Sequence, residues 1–285
     1  MIDAHAHVWR AGSLQIQWLD TPPVAGDPRW APLRATFSPE MLRDLLAAEG
    51  LEAAVLVEAA DALEETEALL AITRAHDWAL GAVGWLPLAE PAAFAAGLAR
   101  YGDNPGLVGL RHMIHGEADP NWVLQTSVVD SLRQLGAAGL AFDYVGVSLD
   151  HLDSLARLAN ACPDTTIVLD HLNSPPIAEG PFQPWAARLS AAAERPNVVA
   201  KVSGLEICST WRAWRAADWR PYLDLALRAF GAERLMLGSN WPVSTLSASY
   251  AKTWAAHRAW LATLSESEQA AVATGTARRV YERGA

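Results

Sequence analysis

The stretch IDAHAHVW places His5 and His7 two positions apart near the start of the chain. On an extended strand residues i and i+2 share a face, so both imidazoles can converge on one divalent ion, which takes neutral nitrogens about 2.0–2.1 Å away. The tripeptide alone also fits a plain structural or surface pair. A third histidine, His171, ends the apolar run TIVLDH, and its presence favours the metal reading, with His5, His7 and His171 as ligands. His112 ends LVGLRH and Asn240 ends RLMLGSN in the same manner. Alternation turns one of Arg111 and His112 inward, and the reading adopted is His112; it likewise sends Asp170 to the face opposite His171. His112, His171 and Asn240 are thus the candidate catalytic groups.

Lys201 interrupts the apolar run VVAKVSGL, where an ammonium needs a partner. That partner is either a substrate carboxylate or carbonyl, or a carboxylate of the chain itself. Asp143 and Glu58 are similar cases, each either a metal or substrate group or the partner of a charge within the barrel. With Trp241 they complete the candidate substrate-binding set: Glu58, Asp143, Lys201 and Trp241. His76, His115, His151 and His257 fall in helical or loop stretches and read as surface or capping residues.

Such groups need elements to deliver them. Eight short β-rich runs follow one another: IDAHAHVW, AAVLVEAA, LGAVGWLPL, LVGLRH, LAFDYVGV, TIVLDH, VVAKVSGL and RLMLGSN. Helical segments separate them, including SPEMLRDLLAAEG, with Ser38 as N-cap, Pro39 at the first position and Gly50 at the stop. LEETEALLAITRAH, HLDSLARLANA, PWAARLSAAAER and DWRPYLDLALRAFG follow, then SYAKTWAAHRAWLATL and SESEQAAVATG, where Ser265 and Glu268 fit a capping box. Eight apolar strands alternating with helices predict an α/β fold, a (β/α)8 TIM barrel, in preference to an open doubly wound sheet. No G-x-G-x-x-G follows the first strand to support the open sheet. The polar residues singled out above sit where strands end, the face at which such barrels carry active sites.

The chain has 285 residues, 51% hydrophobic and 19% charged, a size compatible with one domain over 1–285. Its formal charge of -10 argues against a nucleic-acid partner. Cys162 and Cys208 are the only cysteines and read as reduced thiols. Neither a signal peptide nor an apolar run of about 20 residues is visible, so the expected setting is cytoplasmic, without a membrane partner. Two stretches, residues 9–37 and 205–219, exceed ordinary loop length. In the second, Trp211, Trp214 and Trp219 either pack the loop down or form a lid over the strand ends, with Arg212 or Arg215 for an anion.

The runs IDAHAHVW, GLRH, VLDH, KVSGL, RLMLGSNWPV and GTARRVY occur in the order and approximate spacing of the amidohydrolase-superfamily lactonases, and the chain resembles that family over residues 2 to 281. KVSGL through RAADW to RLMLGSNWPVSTLSASY is most similar to the L-fuconolactonase branch. The resemblance implies an amidohydrolase-type TIM barrel that opens a small sugar-acid lactone with water, with or without a divalent metal such as Zn or Mn. Other reactions of the same barrel, namely lactone isomerisation, amide hydrolysis and decarboxylation, remain alternatives, as does a degenerate carbohydrate-binding barrel. Two positions depart from the pattern. Asn240 stands where the family commonly has Asp, and Asn173-Ser174 where Gly-Lys is usual. An amide cannot accept a proton at neutral pH, although its oxygen can ligate a metal or orient water.

Overall fold

Each of the eight apolar runs forms a strand in the computed structural model, which describes residues 1–12, 16–21 and 24–283. They are β1 (Ile2–Ala6), β2 (Ala53–Val57), β3 (Ala79–Gly84), β4 (Leu107–His112), β5 (Ala141–Tyr144), β6 (Ile167–Leu169), β7 (Val198–Val202) and β8 (Leu235–Leu237). Every strand pairs in parallel with the next. Beyond the end of β8, the Asn240 N–H donates to the His5 carbonyl at 2.8 Å and the His7 N–H donates to that of Trp241 at 2.7 Å. These bonds bring the last strand back to the first.

The helices between strands are α1 (Pro39–Ala48), α2 (Leu63–Ala75), α3 (Pro91–Tyr101), α4 (Thr126–Ala137), α5 (Leu149–Ala161), α6 (Phe182–Ala193) and α7 (Ala216–Phe230). After β8 come α8 (Tyr250–Leu261), α9 (Glu266–Ala270) and, through one π turn, α10 (Thr276–Tyr281). The Ser38 hydroxyl caps α1 by accepting the Met41 N–H at 3.4 Å, Gly50 takes φ +64° just past its end, and Ser265 and Glu268 form their capping box on α9. Helices α3 and α4 are not among the periodic segments singled out above; small residues dilute the stripe in α3, whereas α4 carries a clear one on Val128, Leu132 and Leu135. Among the described residues no helix is long and apolar enough to cross a membrane.

Apolar packing occurs in two shells. Leu42, Leu69, Phe94, Leu155, Leu189 and Trp254 fill the space between strands and helices. Inside the barrel, Ile2, Val55, Val83, Val108, Val168 and Met236 form a floor, which Tyr281 of α10 completes. Above that floor the interior becomes charged.

Two register shifts decide what faces that charged layer. Pairing of β1 with β2 slips between Asp3 and Ala6, and pairing of β3 with β4 slips where Val108 is passed over. At such bulges the alternation of side chains changes phase.

The long segment 9–37 wraps the mouth, apart from residues 13–15 and 22–23, which lie outside the described residues. Its Trp9 Nε1–H donates to the carbonyls of Leu33 and Ala35, both at 3.1 Å, and a separate apolar cluster forms around Trp9, Leu19, Leu33, Ala59 and Leu246.

Candidate active site

The mouth is assembled on His5 and His7, which share a face as their spacing requires. Their Nε2 atoms lie 3.2 Å apart. The His7 Nδ1–H donates to the Val57 carbonyl at 2.7 Å, which leaves the Nε2 lone pair of His7 turned toward His5. His171 closes in from β6, its ring centroid 4.5 Å from that of His5. Its Nδ1 is engaged by the Ser203 hydroxyl at 2.8 Å, so Nε2 is the nitrogen left over. Burial holds His5 well below the ordinary imidazole range, His7 down to about 3 and His171 down to about 4; the charges of Lys201 and Arg111 push the same way. All three rings are therefore neutral at pH 7.

Asp170 reaches the same place as His171, although alternation assigned the two to opposite faces: Asp170 shares the inward face of Val168, two residues before it, and His171 is the residue that enters against alternation. The reason is backbone conformation: β6 stops at Leu169, and His171, Leu172, Asn173 and Ser174 all take positive φ, between 50° and 57°. Where the chain leaves the extended state, period two no longer applies. Four successive non-glycine residues in the left-handed region carry strain that tertiary packing must hold. The dense Asp-His-Asn-Ser composition was the available signal, since these residues favour turns and tolerate that region.

Arg111 and His112 exchange the faces expected of them. Passing over Val108 shifts the phase of β4, so Arg111 enters the interior and His112 leaves it. The Arg111 Nε–H donates to Glu58 Oε1 at 2.7 Å, its Nη1–H to Asp170 Oδ2 at 3.2 Å, and its Nη2–H to the Glu58 carbonyl. His112 instead stacks on Trp122 at 4.0 Å, accepts from Trp85 Nε1–H at 3.1 Å and donates to Glu117 at 2.8 Å. Gly109 within the strand was the sequence sign of such a bulge.

Lys201 resolves to the second of its two readings, an ion pair inside the barrel. Its ammonium pairs with Asp143 and with Asp170 Oδ1 at 3.2 Å, and lies 3.2 Å from His5 Nδ1. The three carboxyls in this layer respond differently. Burial pushes Glu58 well above the carboxylate range against the pull of Arg111, and lifts Asp143 to about 6 against Lys201. Burial would also raise Asp170, but Lys201, His5 and Arg111 together outweigh it and hold that carboxyl well below 3.8. Asp170 is thus the fixed anion of the site.

Asn240 takes φ +54° and is buried beside His171: a Cβ placed on Gly204 would lie 2.9 Å from His171 Nδ1 and 3.1 Å from Asn240 Nδ2. Gly204 itself has φ +65°. The absence of a side chain at 204 is what lets these two groups flank the mouth. Trp241 packs edge-on against Phe37, centroids 5.5 Å apart, which ties the 9–37 segment to the end of β8.

In the second long loop, packing is the reading the geometry bears out for Trp214 and Trp219, which stack at 4.5 Å and are buried. Trp211 instead meets the other long segment, with the Arg29 guanidinium 5.4 Å over its ring. Arg215 pairs with Asp218 at the start of α7, and Arg212 Nε–H donates to the Leu246 carbonyl at 3.0 Å. The remaining histidines divide. His151 is buried in the first turn of α5, whose cap is Ser148, and its Nδ1 accepts the Val147 N–H at 3.1 Å, whereas His257 is a buried core residue whose ring contacts the Gly238 carbonyl at 3.1 Å.

The donor set fits a divalent ion. Two nitrogens 3.2 Å apart match the edge of a tetrahedral zinc site with Zn–N of about 2.0–2.1 Å. Ligand atoms of His5, Asp170 and His171 all lie within 4.8 Å of one another. Asp170 Oδ1 is buried without a well-formed hydrogen bond, and His5 can turn its Nδ1–H toward that oxygen, 3.3 Å away, freeing Nε2 for an ion. Arg111 Nη1 faces the same Nε2 at 3.4 Å, so a cation already borders the position.

Three comparisons bear on this geometry. The sequence profile of the amidohydrolase family matches residues 2–283. An L-fucono-1,5-lactonase of Burkholderia ambifaria is 33% identical over 92% of this chain and 85% of its own length, and an L-fucono-1,5-lactonase of Burkholderia multivorans is 34% identical over 98% and 95%. Among solved structures, an amidohydrolase from Burkholderia multivorans with bound zinc superposes with a TM-score of 0.89 at 33% identity, covering 98% of each chain.

Proposed function

This chain belongs to the amidohydrolase family, and from that premise we propose that it opens a sugar-acid lactone, L-fucono-1,5-lactone or a close relative, by attack of water at the carbonyl in the carboxyl-terminal mouth of the barrel. The observation that carries the reading is the cluster of His5, His171 and the anion Asp170, gripped between two side-chain cations, with His7 Nε2 3.2 Å from that of His5.

The proton affinities in that cluster decide between two ways of activating water. A general base works best with a pKa near the operating pH. His171 at about 4 and His7 at about 3 fall about three to four decades short of that, Asp170 is held lower than an ordinary carboxylate, and Asn240 accepts no proton. These proton affinities favour activation of water by positive charge over a general base. His5, His7 and His171, with Asp170 beside them, would hold a divalent ion, which when bound would supply a Lewis acid to acidify water and polarise the lactone carbonyl.

The chain's own residues do the rest. Asp170, fixed by Lys201 and Arg111, keeps His5 oriented. Ser203 holds His171 so that Nε2 is presented to the mouth. Asn240 offers an amide oxygen that orients water without removing its proton. Asn173 and Ser174 replace a Gly-Lys pair of the family pattern, which takes one fixed positive charge away and suits a lactone without a second carboxylate.

The test is a pH-indicator screen of five- and six-membered aldonolactones with product analysis. The expected result is one acid equivalent per lactone opened, without CO₂ or ammonia. Silence over the whole panel, or release of CO₂ or ammonia from another substrate class, would overturn the reading in favour of a different amidohydrolase reaction.

A further inference from the structure

The floor and the mouth of the barrel are joined by a single polar thread. Tyr281, in the last turn of α10, is fully buried among the apolar side chains of the floor. Its hydroxyl does not end there: it donates to Asp143 Oδ1 at 2.7 Å. The other oxygen of Asp143 pairs with the Lys201 ammonium, which also lies 5.2 Å above the Tyr281 ring. Lys201 in turn sits 3.2 Å from both Asp170 Oδ1 and His5 Nδ1. A helix that enters from the end opposite the mouth therefore reaches the groups that line it, through one hydroxyl and one carboxylate.

We propose that Tyr281 is a positioning residue of the active site, whose hydroxyl fixes Asp143 and thereby sets the place of Lys201 between Asp143, Asp170 and His5. The physical reason is the freedom that the ammonium would otherwise have. Lys201 is a flexible side chain with three donors and two carboxylates within reach. Asp143 resists being drawn up toward the mouth because its second oxygen is anchored from below. Without that anchor one oxygen of Asp143 is left buried and unpartnered, a costly state, and the carboxylate and ammonium move to relieve it. Asp170 and His5 then lose the cation that orients them, although no group in contact with substrate has been changed.

The experiment uses Tyr281→Phe, which keeps the aromatic plug and deletes only the hydroxyl. Because the inference rests on the lactonase reading for its kinetic arm, it is paired with a measurement that needs no activity. The chain has two lysines, Lys201 and Lys252, so ¹⁵N-lysine labelling yields two Nζ resonances, and Lys252→Arg assigns them. The expected result is a shifted Lys201 resonance in Tyr281→Phe with Lys252 unmoved. In the kinetic arm kcat falls about tenfold, as for loss of a charge-assisted hydrogen bond that orients the site, while KM stays within about twofold. In an Asp143→Asn background the same substitution has no further effect on kcat. An unmoved Lys201 resonance would overturn the proposal, as would kinetic effects of the two substitutions that simply multiply. A wild type that opens no lactone sinks the lactonase reading and leaves the resonance arm to decide this one.

Discussion

The lower and upper halves of the barrel interior obey different rules. Below, Ile2, Val55, Val83, Val168 and Met236 are fully or almost fully buried apolar side chains, each within one of the eight apolar runs. Above, Glu58, Arg111, Asp143, Asp170 and Lys201 are as deeply buried, yet Arg111 arrives through a bulge and His171 joins them through a left-handed turn. The floor lowers the free energy of the fold by removing apolar surface from water. The mouth concentrates buried charge that is stable only as a complete set. A change in the floor is therefore felt as stability and a change in the mouth as chemistry, and substitutions can be chosen to break that division.

The largest contrast sets His171→Ala against Met236→Ala. The first removes a group proposed to face the reacting atoms, and kcat/KM falls about 10²-fold or more with little loss of melting temperature. The second opens a cavity in the floor, costs about 2–5 kcal/mol in denaturant unfolding, and leaves KM unchanged in the folded fraction. Equal rate losses in the two variants would dissolve the distinction.

Arg111 and His112 are adjacent in sequence and test where the division runs. Arg111→Met leaves Glu58 and Asp170 without their shared cation, and breaking such a buried pair costs about 3–5 kcal/mol together with activity. His112→Ala loses a stack on Trp122 worth about 1 kcal/mol, and its kcat stays within about threefold of wild type, since the side chain contacts nothing in the mouth. A large rate loss confined to His112→Ala would return His112 to the site.

At Asn240 the account expects a smaller effect. Asn240→Asp places a carboxylate where the family pattern has one, but if charge rather than a base activates the water, kcat changes by less than about tenfold. A gain of about 10² or more would mean that the native mouth lacks a competent base and that the amide limits its rate.

Glu206, in the loop after β7, gives the most pH-dependent effect. Neither of its oxygens has a partner, and burial, with Asp3 nearby, lifts its carboxyl from 4.5 to about 8. An acid whose folded pKa is raised contributes stability that is fully present below its unfolded value and is lost as the pH rises through the folded one. Glu206→Gln has no charge to bury, so its melting temperature relative to wild type increases steadily from pH 5 to pH 8. A flat difference over that range would show that Glu206 ionises without penalty.

How much of this was readable from residues alone follows the same division. Eight strands, the caps at Ser38 and Ser265, and the shared face of His5 and His7 are local consequences of period and residue type, and all are found in the structure. The placement of Arg111 depends on Val108 being passed over in the pairing with β3, and that of His171 beside Asp170 on four consecutive left-handed residues; tertiary context decides both, which no local pattern contains. The choice between a substrate partner and a chain partner for Lys201 needed Asp143 and Asp170, residues 58 and 31 positions away, to be brought beside it. Tyr281, the other partner of Asp143, comes from the far end of the chain.

The central claim is that a divalent ion held by the neutral imidazoles of His5, His7 and His171, and not a strong base, would activate the water. Its most direct test is lactone hydrolysis by protein of known metal content, assayed before chelation, after it, and after zinc is restored. The account predicts one acid equivalent per turnover, loss of nearly all activity on chelation, and recovery with zinc in the wild type but not in His5→Ala. Full activity in thoroughly chelated protein, with the same pH profile as before, would contradict it.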